Sequence, residues 1–408
     1  MNQSMTQSEL LISLEDKYGA HNYHPLPVVL EKGEGVYVWD VEGKKYFDFL
    51  SAYSAVNQGH SHPRILKALQ TQAQKLTLSS RAFYNSELGK YEKFMTELFG
   101  FDKLLPMNTG AEAVETALKV CRKWAYAKKG LPENEAVILF ATGNFHGRTL
   151  SIISGSTDDS SRKGFGPYMP NFEVIEYNNF EALEKALENK NVAGFMVEPI
   201  QGEAGIMIPQ EGYLKKCADL CKAKQVLFIA DEVQTGIART GKMLACDHEN
   251  VHPDILILGK AVSGGVYPVS CILANDEIML CIKPGEHGST YGGNPLACAV
   301  ATEAMQVVLD EKLAENSQKM GEIFRKGLVD MQSSIIKEVR GKGLLNAIEI
   351  NDTPESETAW NICLEFAKNG LLAKPTHGNI IRLAPPLVIN EAQIQESLQI
   401  IKKSFENF

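Results

Sequence analysis

Asp231 and Lys260 each stand just past a short apolar run: Val226 to Ala230 before Asp231, and Ile255 to Leu258 before Gly259-Lys260. Runs of this kind, bounded by polar or turn residues, predict buried parallel strands. An acid and a lysine then lie beyond the carboxyl ends of two strands, the edge at which open α/β sheets bind ligands. One chemistry needs that pair. Pyridoxal phosphate (PLP) is held by a lysine amine as a Schiff base, and a carboxylate on its pyridine nitrogen keeps the ring protonated and able to accept the electrons of a substrate carbanion. Asp231 is the expected ring partner and Lys260 the expected Schiff-base lysine. Gln234, one turn beyond Asp231, is placed to reach the ring hydroxyl.

Neither residue argues alone. One lysine among 41 Lys+Arg is ordinarily a solvated surface charge, and a lone Asp after a strand is ordinarily a turn or helix cap. The other elements decide the matter by what they bring to the same edge. Met107-Asn-Thr-Gly-Ala-Glu112 precedes a helical pattern in which Val114, Ala117, Leu118, Cys121 and Ala125 share a face. Asn108 or Thr109 caps that helix. The backbone at Gly110 is left open, and free N–H groups at a helix start bind phosphate. The strand Val137 to Ala141 runs into Thr142-Gly-Asn-Phe-His-Gly-Arg-Thr149, a tight connection exposing an aromatic, Phe145, and a cation, Arg148. An aromatic there can stack on a flat cofactor. The arginine can grip a carboxylate through two parallel hydrogen bonds.

At 408 residues the chain is too long for one compact core, so two domains are expected. A net charge of −9 points away from nucleic acid and from an anionic membrane as partners, and no apolar run approaches a membrane span. The first residues carry acids early and lack an apolar core, unlike a secretory signal or an Arg-rich transit peptide. None of the eight cysteines forms a CxxC pair, and several lie in apolar runs. A reduced, cytoplasmic protein is the expectation. His60 and His62, two apart before Pro63, lack the neighbouring Cys or acid of a metal site and read as loop-packing residues.

In order along the chain, a short helix around Leu10 to Tyr18 precedes a meander of strands at Val28 to Leu30, Val36 to Trp39 and Lys45 to Phe49. A helix follows near Arg64 to Lys75. Strands at Val192 to Val197 and Pro268 to Ala274 extend the alternating pattern. The Gly-rich loop His287 to Pro295 leads into a helix towards Leu309. From about 310 the pattern changes to a smaller α+β region. Long helices at Leu313 to Met331 and Glu391 to Phe405 bracket strands at Asn346 to Ile350 and Ile380 to Leu383, the last carrying Arg382.

The segments FHGRT, EPIQGEAG, ADEVQTGIARTGK, LGKAVSGG and GSTYGGNPLACA together resemble the class III PLP-dependent aminotransferases, over nearly the whole chain. HNYHPLPVVLEKGEGVYVWDVEGKKYFDFL and NIIRLAPPLVI are similar to the ornithine-using members of that class. The resemblance implies an α/β fold, PLP-dependent fold type I. A large domain with a mostly parallel sheet flanked by helices (53–300) is joined by a small α+β domain from both chain ends (1–52 and 301–408). It implies a homodimer with its sites at the interface. Matched by position, Lys260 carries PLP and Asp231 pairs with its ring nitrogen. Gln234 bonds the ring oxygen, Phe145 stacks on the ring, and Gly110 and Ala111 bind the phosphate. Thr290 reaches the phosphate from the neighbouring subunit. The implied reaction moves the δ-amino group of L-ornithine to 2-oxoglutarate. Tyr23 and Arg148 would hold the ornithine α-carboxylate, Tyr53 would shape the pocket, and Arg382 would bind the glutamate α-carboxylate, masked by Glu203 while ornithine is bound. His146 stands where some relatives carry Trp, a change expected to alter the pocket edge. Acetylornithine or 4-aminobutyrate aminotransferases share the PLP residues and form the nearest alternative. A non-catalytic PLP-fold binding protein is the alternative of a different kind, and the retained Lys260 speaks against it.

Overall fold

The computed structural model describes residues 5–408. The N-terminal meander consists of β1 (Leu30–Glu34), β2 (Tyr37–Asp40) and β3 (Lys45–Asp48), paired antiparallel in order. Seven strands then build the central sheet: β4 (Lys103–Met107), β5 (Val137–Ala141), β6 (Phe172–Ile175), β7 (Val192–Val197), β8 (Leu227–Asp231), β9 (Ile255–Leu258) and β10 (Ser270–Ala274). Their spatial order is β4-β10-β9-β8-β7-β5-β6. From β9 through β6 every pairing is parallel, whereas β10 runs antiparallel to both β9 and β4.

The sequence explains why this sheet lies at the centre. Every residue of β5, β7, β8, β9 and β10 is buried. A strand covered on both faces has no polar side, so it reads as a continuous apolar run rather than an alternation. The helix Gly110–Trp124 covers one face with Ala113, Val114, Ala117, Leu118, Val120, Cys121 and Trp124. Two strands escape the sequence pattern. β4 contains Pro106, and β6 is an edge strand without a buried residue. All eight cysteines are free and buried.

The remaining strands are β11 (Ile336–Lys342), β12 (Leu345–Ile350), β13 (Leu371–Leu372), β14 (Lys374–Thr376) and β15 (Ile380–Leu383). β11-β12-β15-β14 form an antiparallel sheet. β13 instead pairs parallel with β3, Leu371 opposite Phe47, so the two chain ends share one sheet. The boundary expected at 300/301 falls inside the helix Pro295–Asp310. Those ten-odd residues beyond it continue one hydrogen-bonded rod, because Asn294 caps the start and Pro295 sits at the first turn, where its missing N–H costs nothing.

The fully buried Arg239 ties the residues just before β12 and just after β15 to the segment around Asn57. Its guanidinium donates to the carbonyls of Leu344 (3.1 Å) and Pro385 (2.7 Å) and to Asn57 Oδ1 (2.5 Å). Desolvation pulls its pKa down to about 9, opposed by the charge of Asp48. The three acceptors therefore matter, because a buried cation without them would be far more costly.

Candidate active site

β8 and β9 are adjacent and parallel, with Asp231 opposite Ile257. Asp231 is the last residue of β8, and Lys260 follows β9 after Gly259, so both stand at the carboxyl edge of neighbouring strands. Lys260 adopts a left-handed backbone (φ 44°), a conformation that L residues hold only where the surroundings impose it. Desolvation lowers the pKa of its amine, and the charges of Glu203, Asp231 and Glu198 oppose that shift. A lysine of lowered pKa offers the neutral amine more readily, which a nucleophile or proton acceptor needs.

A cavity of about 200 Å³ opens between these residues, lined in part by Gly110, Phe145, His146, Gln234 and Lys260. The amides of the helix Gly110–Trp124 open onto it. Thr109 caps that helix, accepting from Glu112 N–H at 3.2 Å, while Ala113 N–H goes to Thr109 O. The amides of Gly110 and Ala111 have no partner within the helix and are left for an anion.

Asp231 is buried, and His146 donates from Nδ1 to its Oδ2 at 2.6 Å. The other carboxylate oxygen accepts from Val233 N–H at 3.1 Å. Burial would lower the His146 pKa, but the Asp231 hydrogen bond and charge, with the charge of Glu198, raise it overall. His146 stands where some relatives carry Trp, a change expected from sequence to alter the pocket edge. The structure turns it inward onto the acid, where it fixes the carboxylate's orientation. Glu198 is a second group at this edge to which the sequence analysis gives no role. It is buried, accepts Phe145 N–H at 2.7 Å, and is pushed up to about 7, chiefly by desolvation. A signal for it existed: the acid immediately follows the fully apolar β7 at the same sheet edge.

Arg382, on β15, donates from Nη1 to Glu203 Oε1 at 2.6 Å. Burial would raise the Glu203 pKa, but the Arg382 charge and hydrogen bond outweigh it and hold the carboxylate below its ordinary value. The Tyr53 ring centroid lies 4.7 Å from Arg382 Cζ, a cation–π distance. Gln234 sits between the lysine pocket and this pair, its Nε2 at 3.5 Å from Glu203 Oε1. Its Oε1 is buried without a partner among the described residues. Gly202 makes room for that amide, because a Cβ there would lie 1.3 Å from Gln234 Oε1.

Other expected residues stand further out. Tyr23 is 76% exposed. Burial raises the Tyr53 pKa, the Arg382 charge opposes it, and Glu203 and then Tyr23 add to the rise, which places Tyr23 near Tyr53. Arg148 is exposed, with Cζ 5.4 Å from the Phe145 ring centroid. Thr290 lies on the surface and does not line the Lys260 cavity. His60 and His62 turn to single acids, Asp48 and Glu311, at 2.7 and 2.9 Å.

The donor set fits PLP on this chain's own atoms. Asp231 offers a carboxylate for a pyridinium, Gln234 an unpartnered oxygen for a ring hydroxyl, and the helix start two amides for a phosphate. A lysine of lowered pKa faces all three. Such a site, at the carboxyl edge of a mostly parallel sheet, defines a cofactor-assisted amine-transfer enzyme. Comparison with known proteins agrees. A family model described as aminotransferase class-III matches residues 18–405. The mitochondrial ornithine aminotransferase of Drosophila melanogaster is 64% identical over 399 residues, covering 98% of this chain and 92% of that protein. The solved structure of ornithine aminotransferase from Toxoplasma gondii ME49 has a TM-score of 0.96 at 47% identity, covering 99% of this chain and 96% of that one. The solved structure of acetylornithine aminotransferase from Elizabethkingia anophelis has a TM-score of 0.91 at 61% identity, covering 99% and 100%. The chain belongs to the class III aminotransferase family.

Proposed function

We propose that this chain transfers the δ-amino group of L-ornithine to 2-oxoglutarate, using PLP held on Lys260. The products are glutamate and glutamate 5-semialdehyde, which cyclises spontaneously. Bound in the site, the cofactor supplies an electron sink for the substrate carbon. The chain does the rest. Asp231, steadied by His146, would keep a negative charge at the pyridine nitrogen. Phe145 would pack on the ring face, Gln234 would accept from the ring hydroxyl, and the Gly110 and Ala111 amides would hold the phosphate. Lys260, freed when the substrate amine takes its place, would take the proton from the ornithine δ-carbon in the first half-reaction and, in the second, deliver one to the α-carbon of the 2-oxo acid, with the nitrogen held on the cofactor in between.

The observation that carries the reading is the Glu203–Arg382 pair with Tyr53 over it. One pocket must accept a distal amine in one half of the cycle and an α-amine in the other. With Glu203 on Arg382, that guanidinium is not free to take a carboxylate near the ring, and ornithine enters amine first. Its carboxylate is left for Tyr23 and Arg148. A 2-oxo acid brings a carboxylate that competes with Glu203 for Arg382. Ornithine carrying nitrogen-15 at the δ position tests this directly: the label should appear in glutamate. Label retained in the cyclised product would overturn the reading.

The 61% identical structure from Elizabethkingia anophelis, described for acetylornithine, makes acetylornithine the second reading. The rate with ornithine divided by the rate with N-acetylornithine separates the two, and a value above one is expected.

A homodimer belongs to the same proposal. Phe83 and Tyr84 are highly exposed, and Tyr291, next to Thr290, is 50% exposed. Asn85 Nδ2 bonds Gly293 O at 3.3 Å, which ties together the two loops that carry these exposed aromatics. Exposed aromatics on joined loops support an interface between copies, in which Thr290 would reach the partner's phosphate site. Sedimentation showing a fully active monomer would contradict it. Eight unpaired, buried thiols support a reducing compartment, the cytoplasm in our reading.

A further inference from the structure

Tyr53 sits on an unusual piece of backbone. Ser51, Ala52, Tyr53 and Ser54 all have positive φ, at 48°, 45°, 59° and 75°. None is glycine. L residues are disfavoured in the left-handed region because Cβ crowds the following carbonyl oxygen, and four in succession form a left-handed turn. Strain of this kind persists only where the surroundings over-determine it.

The surroundings do so from two sides. Asp48 Oδ1 accepts the amides of Leu50 (2.9 Å) and Ser51 (2.8 Å), and Asp48 Oδ2 is held by His60 Nε2 at 2.7 Å. The fully buried Ser51 donates its hydroxyl to Ala384 O at 2.7 Å. Ala384 N–H donates in turn to Phe49 O at 2.8 Å. Ala384 lies two residues beyond Arg382. The chain that carries Tyr53 and the chain that carries Arg382 are therefore fastened together at two points. From that anchor the left-handed turn brings the Tyr53 ring over the guanidinium, 4.7 Å from Cζ.

We propose that Asp48 and Ser51 are positioning residues for substrate choice, holding the left-handed turn that presses Tyr53 onto Arg382. The ring covers one face of the guanidinium while Glu203 occupies its edge, so Arg382 cannot swing towards the cofactor when ornithine is bound. This rests on the proposed roles of Arg382 and Glu203.

The test compares single-turnover rates with ornithine and with glutamate in the PLP-loaded enzyme. Ser51→Ala removes the tie to Ala384. Ala52→Val places a β-branched residue where φ is 45°, which it resists. Each should lower the ornithine-to-glutamate rate ratio by about tenfold, the scale of one lost contact. Combined with Tyr53→Leu, neither should lower it further, because the turn acts through Tyr53. Ala52→Gly, which accepts the conformation freely, should raise the melting temperature and leave the ratio unchanged. If Ser51→Ala and Ala52→Val shift melting but not the ratio, while Tyr53→Leu shifts it, the turn is merely structural and the proposal is wrong. An unchanged ratio in Tyr53→Leu also overturns it. Absence of δ-nitrogen transfer in the unmutated enzyme is a separate result, and it would remove the functional reading instead.

Discussion

His146 Nδ1 lies 2.6 Å from Asp231 Oδ2, and both side chains are buried. The carboxylate accepts, so the proton sits on Nδ1. Replacing His146 with Phe keeps an aromatic of similar bulk and leaves one Asp231 oxygen without its donor. A hydrogen bond to a charged group is worth about 1.5–3 kcal/mol, so the single-turnover rate with ornithine should fall by about 10–100-fold. A rate within twofold of the unmutated enzyme would show that His146 only fills space.

That contact also marks the limit of what the sequence discloses. Asp231 and Lys260 were legible because each follows an apolar run, and fully buried parallel strands leave such runs. Their shared edge was legible for the same reason. His146 was not, because it is 85 residues from Asp231 and meets it only once β5 and β8 lie in one sheet. The turn at Ser51–Ser54 was invisible for a different reason: it has no glycine to betray positive φ. The strand Lys103–Met107 was missed because Pro106 argues against a strand, yet β4 is an edge strand with only β10 beside it, where a missing N–H is tolerated. The pairing of β3 with β13 joins residues more than 300 apart, and a two-residue strand leaves no periodic signal.

Glu198 predicts a pH dependence of stability. Desolvation raises its pKa from the ordinary 4.5 to about 7 in the folded protein. Between those values the folded state binds more protons than the unfolded state. Its favourable contribution is therefore complete below pH 4.5 and is lost as pH rises through about 7. Glu198→Gln keeps an acceptor for Phe145 N–H and cannot ionise. Relative to this variant, the unmutated protein should lose up to about 3 kcal/mol in urea unfolding on going from acid to neutral pH. Parallel stability curves for the two proteins across that range would refute the assignment.

Gly202 predicts a loss confined to the cofactor. A Cβ at this position would lie 1.3 Å from Gln234 Oε1 and 2.4 Å from its Cδ. The obstacle is the end of a flexible side chain, so Gly202→Ala should leave melting of the cofactor-free protein almost unchanged. Gln234 must swing aside, taking its oxygen from the ring hydroxyl. PLP affinity, measured by titrating the cofactor-free protein, should fall about tenfold, as for one lost hydrogen bond. Unchanged affinity would mean that Gln234 does not contact the cofactor.

Glu203→Gln tests the mask on Arg382 while preserving shape. In the unmutated enzyme the 2.6 Å ion pair must open before Arg382 can take a substrate carboxylate. Arg382 holds the Glu203 pKa below its ordinary value, so the carboxylate stays charged at neutral pH. The mask is then lost only as pH falls through that depressed pKa, and the substrate ratio should be flat across the neutral range. Gln at 203 removes the charge at every pH. The half-reaction with glutamate should gain on that with ornithine by about 1–3 kcal/mol, the worth of a partly solvated pair at a binding site. In rates this is a shift of roughly tenfold or more. Ornithine should also bind less well, because its incoming ammonium would meet an uncompensated guanidinium. A structural ion pair behaves differently. It would lower the melting temperature of Glu203→Gln and leave the two half-reactions in their original proportion, and that result would remove the pair from substrate choice.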